Sequence, residues 1–509
     1  MFVTEKERQT PVVAEVDVAV VGGGTAGAIA AIAAARTGVS VALVEQYGTL
    51  GGAPTVGRVV HLSNTFVDSE WKQVIAGIPQ EIMEKVAELG GLHGRSFQES
   101  LIGTNDYHRF VHVDPEIMAM VLNETVEEEG IRCLLHTIYC DAILEGDRVT
   151  GIIVQNRAGR QAIMAKVVID ASGEGYVAAD AGIPCITDIE NPALHPSAGL
   201  VMRLANCDQE AYMSYVLDPK THELAPDFMD WLSNNLGMDK EEILANRRLQ
   251  WFFRTDSSSF DFLEDLERRR KLWENDGYFA YIRMSYLRKL LRKAAENGDF
   301  ELGREVKGIG RMIFNFDGGS GSKKRPGEVI LNVVSMPLSY DQFIENPGTI
   351  EIAARRRARE VYHFFKKYVP GFDQSYIVDT AYETQSRHLR VFEAVYMFGL
   401  DDTVTGNTFE DSVFLSASEQ RELAAHEVPY RMLVPKHIGN LLVAGKCASG
   451  SRWVRPIPTI MALGHAAGTA AALAAKGNVK VQDVDVALLQ KTLEQQKAII
   501  HYSNRRAIR

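Results

Sequence analysis

A glycine turn and one carboxylate carry the first chemical signal in the chain. Gly22-Gly23-Gly24-Thr25-Ala26-Gly27 directly follows the apolar run 16–21 and opens an Ala-rich stretch that continues to Arg36. In that setting Gly22 permits a tight turn, Gly24 lets backbone approach a pyrophosphate, and Gly27 lets a helix sit close on a strand. The helix N-terminus, with Thr25 and Ala26 in its first turn, then faces the phosphate charge. Glu45 ends a second apolar run, 39–44, about 20 residues further on, where a carboxylate accepts hydrogen bonds from ribose hydroxyls and disfavours a 2′-phosphate. Gln46 follows it. Strand, glycines, helix and acid together point to a dinucleotide rather than to a Gly-rich turn of an unrelated α/β protein.

A second glycine stretch, Gly48-Thr49-Leu50-Gly51-Gly52, lies just downstream. With KVVIDASGEG (166–175), RHLRVFEAVY (387–396), NLLVAGKCASG (440–450) and RPIPTIMALGHAAGTAAALAA (455–475), the pattern resembles the FAD-dependent oxidoreductase family of the glutathione-reductase-like flavoprotein superfamily. That resemblance implies bound FAD, with Ser172 and Gly173 beside the ribityl and pyrophosphate; Ser172 stands where relatives commonly have Thr. It implies that Gly445 and a helix beginning near Thr459, Ile460 and Met461 approach the isoalloxazine. A helix N-terminus there stabilises the negative charge of reduced flavin by a fraction to about 2 kcal/mol.

On the substrate side, the resemblance matches Arg387 and Arg390 to the paired arginines of an R-x-S-R stretch, with Leu389 in place of the Ser, and Tyr396 to a tyrosine six residues later. Arg455 matches a further family arginine. A guanidinium fork holds a carboxylate or phosphate, and a tyrosine moves a proton or binds a carbonyl. The competing reading has these arginines tying loops together through carboxylates such as Asp401, Asp402 or Asp411. His61, with Arg58 nearby, follows the second glycine stretch and is a candidate base or flavin attachment point, or else a structural histidine. Cys447 reads as an inert buried thiol, and Arg452 and Trp453 sit in a loop that should line the cavity.

No second GxGxxG opens a later helix, so no separate NAD(P)H domain is expected, and no CxxC supports disulfide reduction. The electron acceptor is left as oxygen, a quinone, another protein or a diffusible organic molecule. His108 and His112, with Asp114 close by, lack the further ligands a metal needs, and no metal is expected. The runs ERRRK (267–271) and RRRAR (355–359) read as solvated helix faces.

The elements that position these groups give an α/β fold. A Rossmann-like FAD-binding domain, a parallel sheet with helices and a β-meander over 131–169, spans 1–182 and is completed by 428–509. A mixed α+β substrate domain, 183–427, interrupts it. Asp114-Pro115-Glu116 caps a helix running to 129 before Gly130; Asn440–Gly445 should be a strand and Thr459–Lys476 a helix; DGGSGSKK (317–324) reads as a mobile loop. Length and composition agree: 509 residues, 46% hydrophobic and 24% charged, with 55 Lys and Arg against 66 Asp and Glu. That balance lacks the basic field of a nucleic-acid binder. The five cysteines are scattered, which suits reduced thiols in a cytoplasm, and the N-terminus has no apolar stretch followed by a cleavage site. The apolar stretches 18–35 and 457–475 are crowded with Gly and Ala, so no membrane span is expected.

The expected function is hydride transfer between a small organic substrate and flavin N5, of dehydrogenase or oxidase type, with homo-oligomerisation left open. A lyase, hydratase or isomerase carrying FAD without net redox change, and a non-catalytic flavin-binding protein, are the alternatives.

Overall fold

In a computed structural model, residues 3 and 7–507 are described except for 64–65, 69, 93–95, 103–109, 188–196, 246–261, 280–281, 283, 307–309, 314–318, 333–335, 338–339, 388–389, 404–406, 418–424 and 451–453. His108, Leu389, Arg452 and Trp453 lie outside the described residues.

Strand β1, Val12–Val21, is fully buried over its last four residues and lies between two parallel neighbours: β2, Val41–Val44, and the long strand Gly159–Asp170. Strand Arg132–Leu134 extends the sheet parallel to β2, and strand Leu441–Val443 extends it parallel to the far half of the long strand. The near half pairs antiparallel with Arg148–Asn156, which pairs with Ile138–Glu145, giving the expected meander. Order therefore reverses at β1, and the crevice beyond the carboxyl ends of β1 and the long strand is where such sheets bind ligands. Helix α1, Thr25–Arg36, is buried on nearly every face because it is sandwiched between this sheet and the closing helix Ile457–Gly477.

The closing helix starts at Ile457, two residues before the predicted start, with Pro458 in its first turn, and stops at left-handed Asn478 instead of Gly477. It is long and apolar enough to cross a membrane, yet most of its apolar window is buried against protein. The predicted cap is present: Asp114 accepts from Glu116 N at 2.8 Å and Ile117 N at 2.9 Å and starts helix Pro115–Glu128.

A second hydrophobic core runs from Ala198 to Ala381. It lies between helices, notably Pro347–Tyr368, and an antiparallel sheet ordered Tyr278–Phe279, Ser320–Ser322, Val329–Asn332, Val201–Ala205, Tyr376–Thr380. Phe392, Phe398, Val413, Phe414, Leu415 and Ala417, which lie within 183–427, belong to the first core. Ser320–Ser322, expected in a mobile loop, is a buried strand. Its small residues answer a packing demand: a Cβ on Gly321 would lie 2.7 Å from Phe279 Cζ. The basic runs are only partly solvated. Arg268 and Arg269 are buried against Asp265, and Arg357 is buried under the Phe300 ring, 4.2 Å from its centroid.

Candidate active site

The glycine turn has the geometry its spacing implies. Gly22 has φ +95°, and a Cβ there would lie 2.5 Å from Ala171 O; one on Gly27 would lie 1.8 Å from Gly22 O. Side chains at these two positions are excluded by the protein itself. Gly24 differs: a Cβ there meets only Gly52 Cα, at 4.0 Å. The side of Gly24 that must stay bare is open towards the second glycine stretch, which folds alongside it; Gly51 N donates to Gly23 O at 2.8 Å, and Gly24 bridges Gly51. Gly51 and Gly52 are left-handed, at φ +107° and +61°. Gly445, at φ +98°, is similarly open, with Ala26 Cβ at 3.8 Å its single neighbour.

Two helices aim at this cradle. A Cβ on Gly464 would lie 2.2 Å from Ala26 O, and one on Gly468 would lie 2.1 Å from Ala30 O. Matching steps of four on both helices make α1 and the closing helix parallel and nearly in backbone contact. Aligning Gly464 with Ala26 leaves the closing helix six residues longer at its start, about 9 Å at 1.5 Å per residue. Two positive helix ends thus point the same way, staggered along the crevice. Bare glycine backbone and staggered helix ends fit FAD, whose anionic pyrophosphate the N-terminus of α1 would hold.

Glu45 is buried at the tip of β2, accepting from Gly23 N at 2.7 Å through Oε2 and from Tyr47 N at 2.9 Å through Oε1. Burial raises its carboxyl from the ordinary value, and these amides oppose the rise. Gln46 is exposed, while Thr25 and Ala26 are buried in the first turn of α1. Ser172 donates to Asp170 Oδ1 at 2.7 Å and accepts from Gly175 N at 2.9 Å and Tyr176 N at 3.1 Å. Its hydroxyl builds the turn, and its backbone borders the cradle, 2.7 Å from where a Gly22 Cβ would be. Gly173 follows at φ +79°. Thr459, Ile460 and Met461 are buried, with Thr459 Oγ1 3.2 Å from Ser416 Oγ and Ile460 N donating to Pro456 O at 2.9 Å.

The substrate-side candidates sit on or beside separate elements. Tyr396 donates to Asp402 at 2.6 Å, meets Phe409 edge-on and lies under Arg431, which pairs with Asp411 at 2.9 Å. It packs against the first core with its hydroxyl on Asp402, so two of the carboxylates foreseen for arginines, Asp402 and Asp411, are engaged by Tyr396 and Arg431. Arg390 is likewise committed, bonding the Glu174 carbonyl and Tyr340 Oη (3.1 Å) and lying over the Phe392 ring. Arg387 ends strand Gln385–Arg387, opposite Ser197; its side chain is outside the described set. Arg455 is half-buried immediately before the cap of the closing helix. His61 pairs across strands with His112, rings 5.1 Å apart, and the His112 ring is 5.8 Å from Tyr278 of the inserted unit. Strand His61–Ser63 also packs on the closing helix. Cys447 is buried, which pushes its thiol well above the usual range, in keeping with an inert role.

Sequence reading passed over three polar clusters. Lys446, next to Gly445, pairs with Glu174 at 2.6 Å and bonds Ser386, tying both strand-end turns to the inserted unit. Tyr47 donates to Glu383, whose carboxyl burial raises. Glu116, Arg58, Asp379, Arg203, Glu328, Arg325 and Asp114 form an alternating series of ion pairs across the seam between the two cores. Adjacency to glycines was the available signal for Lys446 and Glu174; the others depend on long-range contacts. A cleft of about 310 Å³ between Arg36, Glu81 and Lys497 is lined by none of the cradle residues. Among the described residues no cluster of three or more His, Cys, Asp or Glu is arranged for a metal.

Comparison with curated protein sequences gives no match. Among solved structures, a geranylgeranyl bacteriochlorophyll reductase-like protein from Thermoplasma acidophilum is similar at 13% identity and TM-score 0.42, over 95% of this chain and 83% of that one. The p-nitrophenol 4-monooxygenase PnpA from Pseudomonas putida is similar at 10% identity and TM-score 0.39, over 95% and 84%. The family described as FAD dependent oxidoreductase matches residues 17–493, nearly the whole chain. With the bare glycine cradle and the two staggered helix ends in the same place, the chain belongs to the FAD dependent oxidoreductase family and is an enzyme that uses FAD.

Proposed function

We propose that this oxidoreductase is of the dehydrogenase or oxidase type and handles a small organic substrate in the seam between its two cores. The open faces of Gly24 and Gly445, in line with two parallel helix ends, carry the reading. When bound there, FAD supplies N5 as the hydride acceptor or donor. The chain's own residues do the rest. Glu45 holds the ribose end, with Gly23 N and Tyr47 N fixing its carboxylate. The first-turn amides of the closing helix favour negative charge beside them. His61, whose ring lies 5.1 Å from that of His112, would hold or pass the substrate's proton, and Arg455 and Arg387 would orient the substrate. Electrons leave to oxygen, a quinone, a protein or an organic acceptor. Five cysteines without a disulfide suit a reducing, cytoplasmic setting.

The test is the visible spectrum of the purified protein, its flavin released by acid, followed by anaerobic titration. A yellow protein with releasable FAD that bleaches with dithionite and with a donor is expected. A protein that takes up no FAD, or whose flavin stays oxidised under both, overturns the reading.

A further inference from the structure

The charge series across the seam contains three polar atoms that the protein leaves unsatisfied. Asp379 gives Oδ2 to both Arg203, at 2.6 Å, and Arg58, at 3.6 Å, and its Oδ1 has no partner among the described residues. Arg58 Nε and Arg203 Nε are also buried donors without one. Each such group costs about 1–3 kcal/mol when left unpaired. Arg58 is 7% exposed and left-handed at φ +53°, a conformation a non-glycine residue holds only at a cost. It sits in the turn directly after the glycine cradle, with Arg58 N donating to Thr55 O at 3.3 Å and Gly57 N to Gly52 O at 3.0 Å. Orphaned polar atoms and backbone strain coincide where the cradle meets the sheet of the inserted unit.

We infer that Arg58, Arg203 and Asp379 form a substrate-binding subsite for a neutral, hydroxyl-bearing molecule of the polyol or carbohydrate class. The inference rests on the redox reading above and names its substrate class. A hydroxyl oxygen accepts from a guanidinium N–H while its proton goes to a carboxylate, so two neighbouring hydroxyls satisfy the donor and acceptor types present. Net charge decides between a neutral ligand and an anion. The series holds Arg58, Arg203 and Arg325 against Asp114, Glu116, Asp379 and Glu328, three positive charges against four negative, so a carboxylate entering it meets a surplus of negative charge. All three atoms are shielded from solvent, so a ligand there must displace the packing that covers them.

The experiment uses the FAD-loaded full chain, with glycerol, myo-inositol and D-glucose as neutral probes and D-gluconate as the anionic one. Binding is read by calorimetry and by the shift in melting temperature. Arg203→Lys and Arg58→Lys keep a cation for Asp379 and remove the Nε donor. Expected are saturable binding of at least one neutral probe, weaker binding of gluconate, and a loss of roughly tenfold or more in probe affinity in each lysine variant, with FAD affinity unchanged in Arg203→Lys. If Arg58→Lys fails to fold, Arg203→Lys decides alone. No binding of any neutral probe, tighter binding of gluconate, or unchanged affinity in Arg203→Lys overturns the assignment. A flavin that dithionite still bleaches would then leave the redox reading intact.

Discussion

Gly24 and Gly27 belong to one motif but should fail in opposite ways. An alanine at Gly24 meets no protein atom closer than 4.0 Å, and its φ of −62° and ψ of −176° suit any residue. Folding of Gly24→Ala should change by no more than about 1 kcal/mol, the weaker helix cap being offset by a less flexible unfolded chain. The same methyl projects into the space that bound pyrophosphate needs. Overpacking costs about 1–3 kcal/mol and a lost amide bond to a charged group about 1.5–3 kcal/mol. Together these give about 3 kcal/mol or more, on the order of a hundredfold in FAD affinity. In Gly27→Ala the methyl would stand 1.8 Å from Gly22 O, so helix and strand must separate, and folding itself should lose about 3 kcal/mol or more. FAD titration of apoprotein by flavin fluorescence, with thermal melts of the same samples, separates the outcomes. A Gly24→Ala protein that binds FAD like the parent, or a Gly27→Ala protein that melts like it, would refute the reasoning.

Three further outcomes follow from the packing. His426 and His465 are buried, which lowers each to about 4 from 6.5; stability should be whole above pH 6.5 and fall towards pH 4 by roughly 3 kcal/mol per histidine, and His465→Gln should remove about half of that slope in melts across this range. Gly464→Val, whose Cβ would sit 2.2 Å from Ala26 O, should give insoluble or colourless protein; a soluble yellow one would contradict the helix contact. Tyr396→Phe should leave turnover of any accepted donor within about twofold and cost about 1 kcal/mol through the lost Asp402 bond; a large loss of turnover would place Tyr396 in the catalytic site.

The cofactor half of the molecule was legible because its chemistry is local. The turn at Gly22, the bare face of Gly24 and the tip at Glu45 follow from backbone conformation within a few residues, and strand, helix and acid report them together. The substrate side was less so, because an arginine takes its partners from far along the chain: Arg390 bonds the Glu174 carbonyl, 216 residues away. Ser320–Ser322 was misread for a related reason. Small residues signal flexibility when exposed and close packing when buried, and only the approach of Phe279 distinguishes the two. Asn440 shows the same limit: as a strand residue it looks unremarkable, yet its side chain bonds Val149 N, Val149 O and Lys166 O and stitches the late strand to the meander.

The pairing of Ala26 with Gly464 also constrains biosynthesis. A ribosome delivers the glycine turn early and the helix that seats against it more than four hundred residues later. During that interval the nascent α1 exposes an alanine-lined flank with no permanent neighbour, and vitamin-derived cofactor finds only half a berth. Flavin loading should therefore be a late event, sensitive to lesions near the carboxyl end that touch no catalytic group.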